Sequence, residues 1–264
     1  MNRHLYVVLL LLFVLFTGCT TKISKEIHAL DLISLVQHKV PLFAGTINHG
    51  VIEIEFSVSE SEKLPELKSV TLKFDSLSSD VMIESVSVHH NTGEKQPEVL
   101  FGETESISTA ITINGSMPLK PGNQSLSVGF NLKEEARLHQ SFIIKHIELK
   151  FDQGRKLILE PEEVFFYRTA KIVRAGGQDN CDTYRIPGLV TTNRGTLIAV
   201  YDNRYSSSKD LQEDIDVGMS RSTDGGQTWE PMRVIMDMGE WGGRPENLNG
   251  IGDPCVLFDP GTGT

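Results

Sequence analysis

Cysteine is scarce: this chain of 264 residues has three, Cys19, Cys181 and Cys255. With so few thiols, no disulfide framework can replace a hydrophobic core. Cys181 and Cys255 could bond or stay free, and their separation in sequence does not settle which. No Cys/His spacing resembles a zinc site, and the adjacent His89-His90 would point to opposite faces of a strand. The sequence therefore calls for no metal and no cofactor. An excess of positive charge is also missing. Lys plus Arg total 25 against 35 Asp plus Glu, a net charge of −10, which argues against a nucleic-acid partner. Helical periodicity is rare. Glu26 to Lys39 fits a helix moderately, with a strand or a linker as the alternatives. Long apolar runs are confined to Leu5–Phe16, too short for a comfortable transmembrane helix.

That short run does have a reading. Arg3 precedes it, and Phe16-Thr17-Gly18-Cys19 closes it with small residues before a cysteine. This is the pattern of a targeting leader, residues 1–19, and it resembles a bacterial lipobox in which Cys19 is lipidated. The mature protein is then expected to be exported and anchored to the bacterial membrane by lipid. A plain secretory leader with an incidental cysteine is the alternative.

From about residue 45 the text alternates with period two. GVIEIEFSV places Ile52, Ile54, Phe56 and Val58 on one face; VTLKF, VMIESVSVHH, AITING, SLSVGFNL, FIIKHIELKF and KLILE follow. Turn residues separate them at Asn91-Thr92-Gly93, Asn114-Gly115, Pro121-Gly122-Asn123 and Asp152-Gln153-Gly154. The expectation is an all-β chain whose residues 25–168 form an antiparallel β-sandwich.

Beyond about residue 170 glycine becomes frequent. TYRIPGLVTT and TLIAVYDNR flank Asn193-Arg194-Gly195 and read as a hairpin. A turn centred between Arg194 and Gly195 would set Arg185 directly opposite Arg204, where like charges destabilise the pair. A bulge at Gly195 would shift that register by one residue. An anion held between the two guanidinium groups would relieve the conflict, and a planar carboxylate fits their fork best. The alternatives are that the arginines splay into solvent, or pair with Asp182 and Asp202.

Further on, Ser222-Thr223-Asp224-Gly225-Gly226-Gln227-Thr228-Trp229 matches S-x-D-x-G-x-T-W, the Asp box. Asp224 can accept the turn's own amides, Gly226 can take a positive φ, and Trp229 can pack beneath the turn. Ser222 and Thr228 complete this structural box. Four strands, 185–192, 195–203, 214–222 and 228–236, make one blade of a β-propeller, and GDPCVLFDPGTG would open the next. Residues 170–264 are thus expected to be the first one to two blades of an incomplete six-bladed Asp-box propeller, part of a longer protein.

Tyr184-Arg185-Ile186-Pro187, then Arg204 in Asp202-Asn203-Arg204 nineteen residues after Arg185, then the Asp box, resemble the bacterial exo-α-sialidases (neuraminidases). The preceding sandwich is similar to the non-catalytic domain of Bacteroides-type members. The resemblance implies hydrolysis of terminal α-linked sialic acid from glycoproteins and gangliosides, with retention. It implies that Arg185 belongs to an arginine triad gripping the sugar carboxylate. Arg204 would line the same end, and Asp253 would sit beside the acetamido and O4 groups. Asp210, in the loop Ser206 to Glu213, would be the general acid, with Glu213 and Asp214 as rivals. The family's nucleophile is a tyrosine paired with a glutamate, and neither is identifiable here. A propeller or sandwich that binds glycans without cleaving them, and a trans-sialidase, are the competing readings.

Overall fold

The computed structural model describes residues 21–23, 30–77, 82–91, 98–164, 166–210 and 213–264; the leader and Cys19 lie outside them. Among the described residues there are strands and short 3-10 turns but no α-helix. The first strands are β1 (Thr21–Ile23), β2 (Leu30–Gln37), β3 (Leu42–Phe43), β4 (Ile47–Val58), β5 (Glu66–Leu77) and β6 (Ile83–Asn91). Then come β7 (Val99–Thr104), β8 (Ala110–Pro118), β9 (Gly122–Leu132), β10 (Ser141–Phe151), β11 (Lys156–Leu159) and β12 (Phe166–Ala170). The last four are β13 (Thr183–Thr191), β14 (Leu197–Arg204), β15 (Ile215–Ser222) and β16 (Arg233–Met236).

They form three sheets. One runs β1-β11-β10-β12-β3, with β5 on the opposite edge of β10 and β8 beyond it. The second is β2-β4-β9-β6-β7 and the third is β13-β14-β15-β16. Pairing among the described strands is antiparallel except for the short β12–β3 contact, and an isolated parallel bridge joins Ile215 of the third sheet to Gly250. The alternating apolar residues of the first two sheets meet in one core. At its centre Phe142 of β10 stacks on Tyr167 of β12 at 5.3 Å and meets Phe130 of β9 at 5.2 Å, so the ring cluster bridges both sheets. Ring pairs of this kind add to the burial of large apolar area that drives the two layers together.

Two local expectations are corrected. The helix considered over Glu26 to Lys39 is, over Leu30–Gln37, a strand paired with β4; residues 24–29 lie outside the described set. A register shift between Leu32 and Ser34 explains the misleading pattern. The extra residue lets Leu32 and Leu35, three apart as on a helix face, both pack against the core. Asn114-Gly115 is not a turn but lies inside β8. Here glycine serves close approach: a Cβ at Gly115 would sit 2.3 Å from the Phe101 carbonyl oxygen, and one at Gly102 would sit 2.2 Å from that of Asn114. Glycines on facing strands let β7 and β8 come nearer than side chains allow.

The third sheet carries the region of interest. Its second strand, β14, is buried from Ala199 to Arg204, with Asp202, Asn203 and Arg204 almost inaccessible. The fourth strand is shorter than expected, because the Asp box engages Thr228 through both its amide and its hydroxyl. Ser222 Oγ accepts the Gly226 amide at 2.9 Å and donates to Asp224. Gly226 has φ of 88° and lies against Leu138 from the β9–β10 connection and Leu197. Residues 252–258 belong to no sheet, with Asp253 in the left-handed region and Val256 close to Gly188 of β13.

Candidate anion-binding site

The site begins with two irregularities in the β13–β14 hairpin. Thr192 and Thr196 close a three-residue turn in which Gly195 has φ of 77°, and this shifts the register by one. That shift alone would send Arg185 to the face opposite Arg204. A second irregularity, between Arg185 and Gly188, inserts one more residue into β13. It contains Pro187, which has no amide to donate, and Ile186, which is held at φ of 51°. The result sets Arg185 opposite Asp202 and Arg204 opposite Thr183. The direct Arg185–Arg204 opposition is thereby corrected: the two arginines are diagonal neighbours on one face, with an aspartate in the paired position.

Both guanidinium groups nevertheless reach one point. Arg185 Nη1 donates to Asp210 Oδ1 at 3.1 Å and Arg204 Nη1 donates to the same oxygen at 2.8 Å. Both also donate to the Ser208 carbonyl, at 2.9 and 3.1 Å. Arg204 is buried and Arg185 is partly open, while Asp210 is largely exposed. Asp202 completes the group. Its Oδ2 accepts Arg204 Nε at 3.2 Å and Nη2 at 2.8 Å, and its Oδ1 accepts the Asp253 amide at 2.9 Å. Asp182 takes no part, accepting the neighbouring Thr183 hydroxyl instead. Asp202, Arg204, Asp210, Ile215, Gly252 and Asp253 line a cavity of about 280 Å³.

The electrostatics follow from these contacts. The Arg204 hydrogen bond, with the charges of Arg185 and Arg204, holds the Asp210 carboxyl below the usual carboxylate range. Burial on its own would push the Arg204 guanidinium down, but its bonds to Asp202 and Asp210 more than offset it. Glu213 accepts the Ser207 hydroxyl at 3.0 Å. Asp214 is pushed up by burial and by the charges of Glu246 and Asp237. Neither lines the arginine cavity. Tyr184 donates to Asp179, and Tyr205 donates to Asp216 at 2.9 Å. Cys181 is buried and Cys255 exposed, and both thiols are free. Chemically the arrangement can hold a carboxylate: two adjacent cations share one counter-charge, here the chain's own Asp210.

Comparisons with known proteins find similarity to sialidases. A sialidase of Bacteroides fragilis is 43% identical over 162 residues, covering 61% of this chain and 30% of that protein. A sialidase of Micromonospora viridifaciens is 34% identical over 96 residues, covering 36% of this chain and 14% of that protein. A solved structure, the Hadza microbial sialidase Hz136, superimposes with a TM-score of 0.72 at 29% identity, over 87% of this chain and 49% of its own. This chain is a relative of the bacterial sialidases. No family model matches it. The chain spans under a third of the length of these curated sialidases and about half of the solved one. Coverage of 87% takes the structural likeness to that sialidase beyond the four-stranded sheet into the sandwich.

Arg204, Asp210 and Asp253 thus line a single cavity, and Arg185, which lines a neighbouring one, joins it through its hydrogen bond to Asp210. The charged residue of this cavity that the sequence did not mark as a site residue is Asp202, weighed there only as a partner for the arginines. A signal existed, since Asp202 and Arg204 are two apart on one strand and must share a face.

Proposed function

We propose that this chain supplies the carboxylate-binding arginines and the general acid of an exo-α-sialidase that releases terminal α-linked sialic acid with retention. The observation that carries the reading is the convergence of Arg185 Nη1 and Arg204 Nη1 on one carboxylate oxygen. A sialic acid carboxylate has the charge and shape to take the place that Asp210 holds in the free protein. That exchange does two things. It fixes the sugar's anomeric end beside the arginines, and it separates Asp210 from the two cations that keep it ionised. Freed of them and desolvated against the sugar, Asp210 can hold a proton and deliver it to the departing glycosidic oxygen. Asp253, docked through its amide on Asp202, faces the same cavity, in reach of the ring's polar substituents.

The nucleophile in this proposal is a tyrosine, activated by a glutamate, in polypeptide outside the four-stranded sheet. A neutral phenol suits an anomeric centre that already bears a carboxylate, because a carboxylate nucleophile would be repelled. Sialylated glycoproteins and gangliosides are the proposed substrates. Cleavage of the leader and lipidation of Cys19 would place the enzyme on the bacterial membrane.

The test is release of a fluorogenic sialoside by the full-length protein, with the configuration of the first-formed sugar read by NMR. Turnover giving the α-anomer first supports the reading. Tight glycan binding with no turnover would replace it with a glycan-binding function.

A further inference from the structure

We propose that Asp202 is a positioning residue: it aims Arg204 at the substrate carboxylate and docks the backbone that carries Asp253. The identity of the anion rests on the sialidase reading; the geometry of Asp202 does not. Asp202 is 1% exposed. Its Oδ2 engages Nε and Nη2 of Arg204, two of the three guanidinium nitrogens. The remaining nitrogen, Nη1, is thereby turned to the point shared with Arg185. A planar fork held on one edge has little freedom left at the other. The second oxygen of Asp202 accepts the amide of Asp253, a residue in the left-handed region at φ of 55°. Gly252 permits the approach, since a Cβ there would meet both Asp202 oxygens at 3.0 and 3.1 Å. One buried carboxylate therefore sets where the cation stands and where the facing loop stands.

Its charge matters as much as its shape. With Asp202 present, Arg204 has a permanent counter-charge, and Asp210 is a second partner that a substrate can displace. Without it, the buried guanidinium has Asp210 as its sole anionic partner among the described residues. The internal pair then competes harder with the substrate for Arg204, and the acid is harder to release. Asn at 202 keeps an acceptor for the Asp253 amide, so Asp202→Asn isolates the arm that acts on Arg204.

The experiment is a double-mutant cycle in the full-length protein, with Asp202→Asn, Arg204→Gln and the pair. Expected for Asp202→Asn is a fall in kcat/KM on a fluorogenic sialoside of about 10- to 100-fold, the range for a charge-assisted hydrogen bond, with KM raised as well. The double variant should be no worse than Arg204→Gln alone, because Asp202 acts through Arg204. Losses that multiply, or full kcat/KM in Asp202→Asn, would overturn the proposal. Should Asp202→Asn fail to fold, Asp202→Glu keeps the charge and displaces the guanidinium by one methylene; wild-type kcat/KM there would also overturn it. A readout independent of turnover is hydrogen exchange of the Arg204 Nε proton by NMR in the full chain. Protection in the wild type and in Arg185→Ala, lost in Asp202→Asn, supports the role, and protection retained in Asp202→Asn refutes it. If the unsubstituted protein neither cleaves sialosides nor binds free sialic acid, the sialidase reading fails while the exchange measurement still decides Asp202.

Discussion

Arg185 and Arg204 meet the same carboxylate but are embedded differently, and their removal should differ accordingly. Arg185 is 39% exposed at its side chain and contributes Nη1 alone to the site. Arg185→Ala should leave the urea-unfolding midpoint unchanged and weaken binding of free sialic acid by about 10- to 100-fold, read by calorimetry. Arg204→Ala strands the buried Asp202 carboxylate. It should lose binding and also about 3 kcal/mol of unfolding free energy, the lower end for a broken buried pair because the adjoining cavity admits water. Asp216 provides the pH dependence. Burial, then the charges of Asp237 and Asp214, push its carboxyl up from 3.8 to about 6, although the Tyr205 hydroxyl donates to it and acts downward. A raised folded value means that the protonated form is the one the fold favours. The stabilisation is present at low pH and is lost as pH rises through about 6. Asp216→Asn, neutral throughout, should therefore gain Tm relative to wild type progressively between about pH 4 and pH 7.

At the scale of the element, the Asp box and the β13–β14 hairpin show what local sequence can and cannot carry. The box is self-contained. Thr228 donates to Asp224 through its amide at 3.0 Å and its hydroxyl at 2.6 Å, and Ser222 adds a third donor, all within seven residues. These donors hold the Asp224 carboxyl well below the usual range, so its contribution is present above about pH 4 and fades on acidification. Asp224→Ala should remove hydrogen-exchange protection from the Thr228 and Gly226 amides and lower Tm, with the difference shrinking at acid pH. Because every partner lies within the motif, the motif was legible. The hairpin was legible as a hairpin, but its register was not. Two single-residue insertions, at Gly195 and at Ile186-Pro187, each reverse the facing of β13, and only together do they return Arg185 to the side of Arg204. Pro187 marked one of them. The spacing of Leu32 and Leu35 misled for the same reason: a bulge turned a helical interval into a strand.

At the scale of the molecule, the sandwich holds the large apolar core and the third sheet holds the polar site. Phe142 sits where the two sandwich layers meet, fully buried among Phe74, Phe130 and Tyr167. Phe142→Ala should cost about 3–5 kcal/mol in urea unfolding followed by far-UV circular dichroism, since neither sheet can close the gap without shifting the other. The site residues run from Arg185 to Asp253, and long-range contacts assemble them: Asp253 reaches Asp202 across 51 positions.

The sequence by itself determined the all-β character, the alternating sandwich strands, the Asp box and the kinship to sialidases carried by Tyr184-Arg185-Ile186-Pro187. These are patterns of period two or of a few consecutive residues, and their physics is local. Tertiary structure decided the rest: the pairing of Arg185 with Asp202, the shared hold on Asp210, and the docking of Gly252-Asp253 on a buried carboxylate. Those depend on bulge parity and on loops meeting in space, and no window of neighbouring residues contains either.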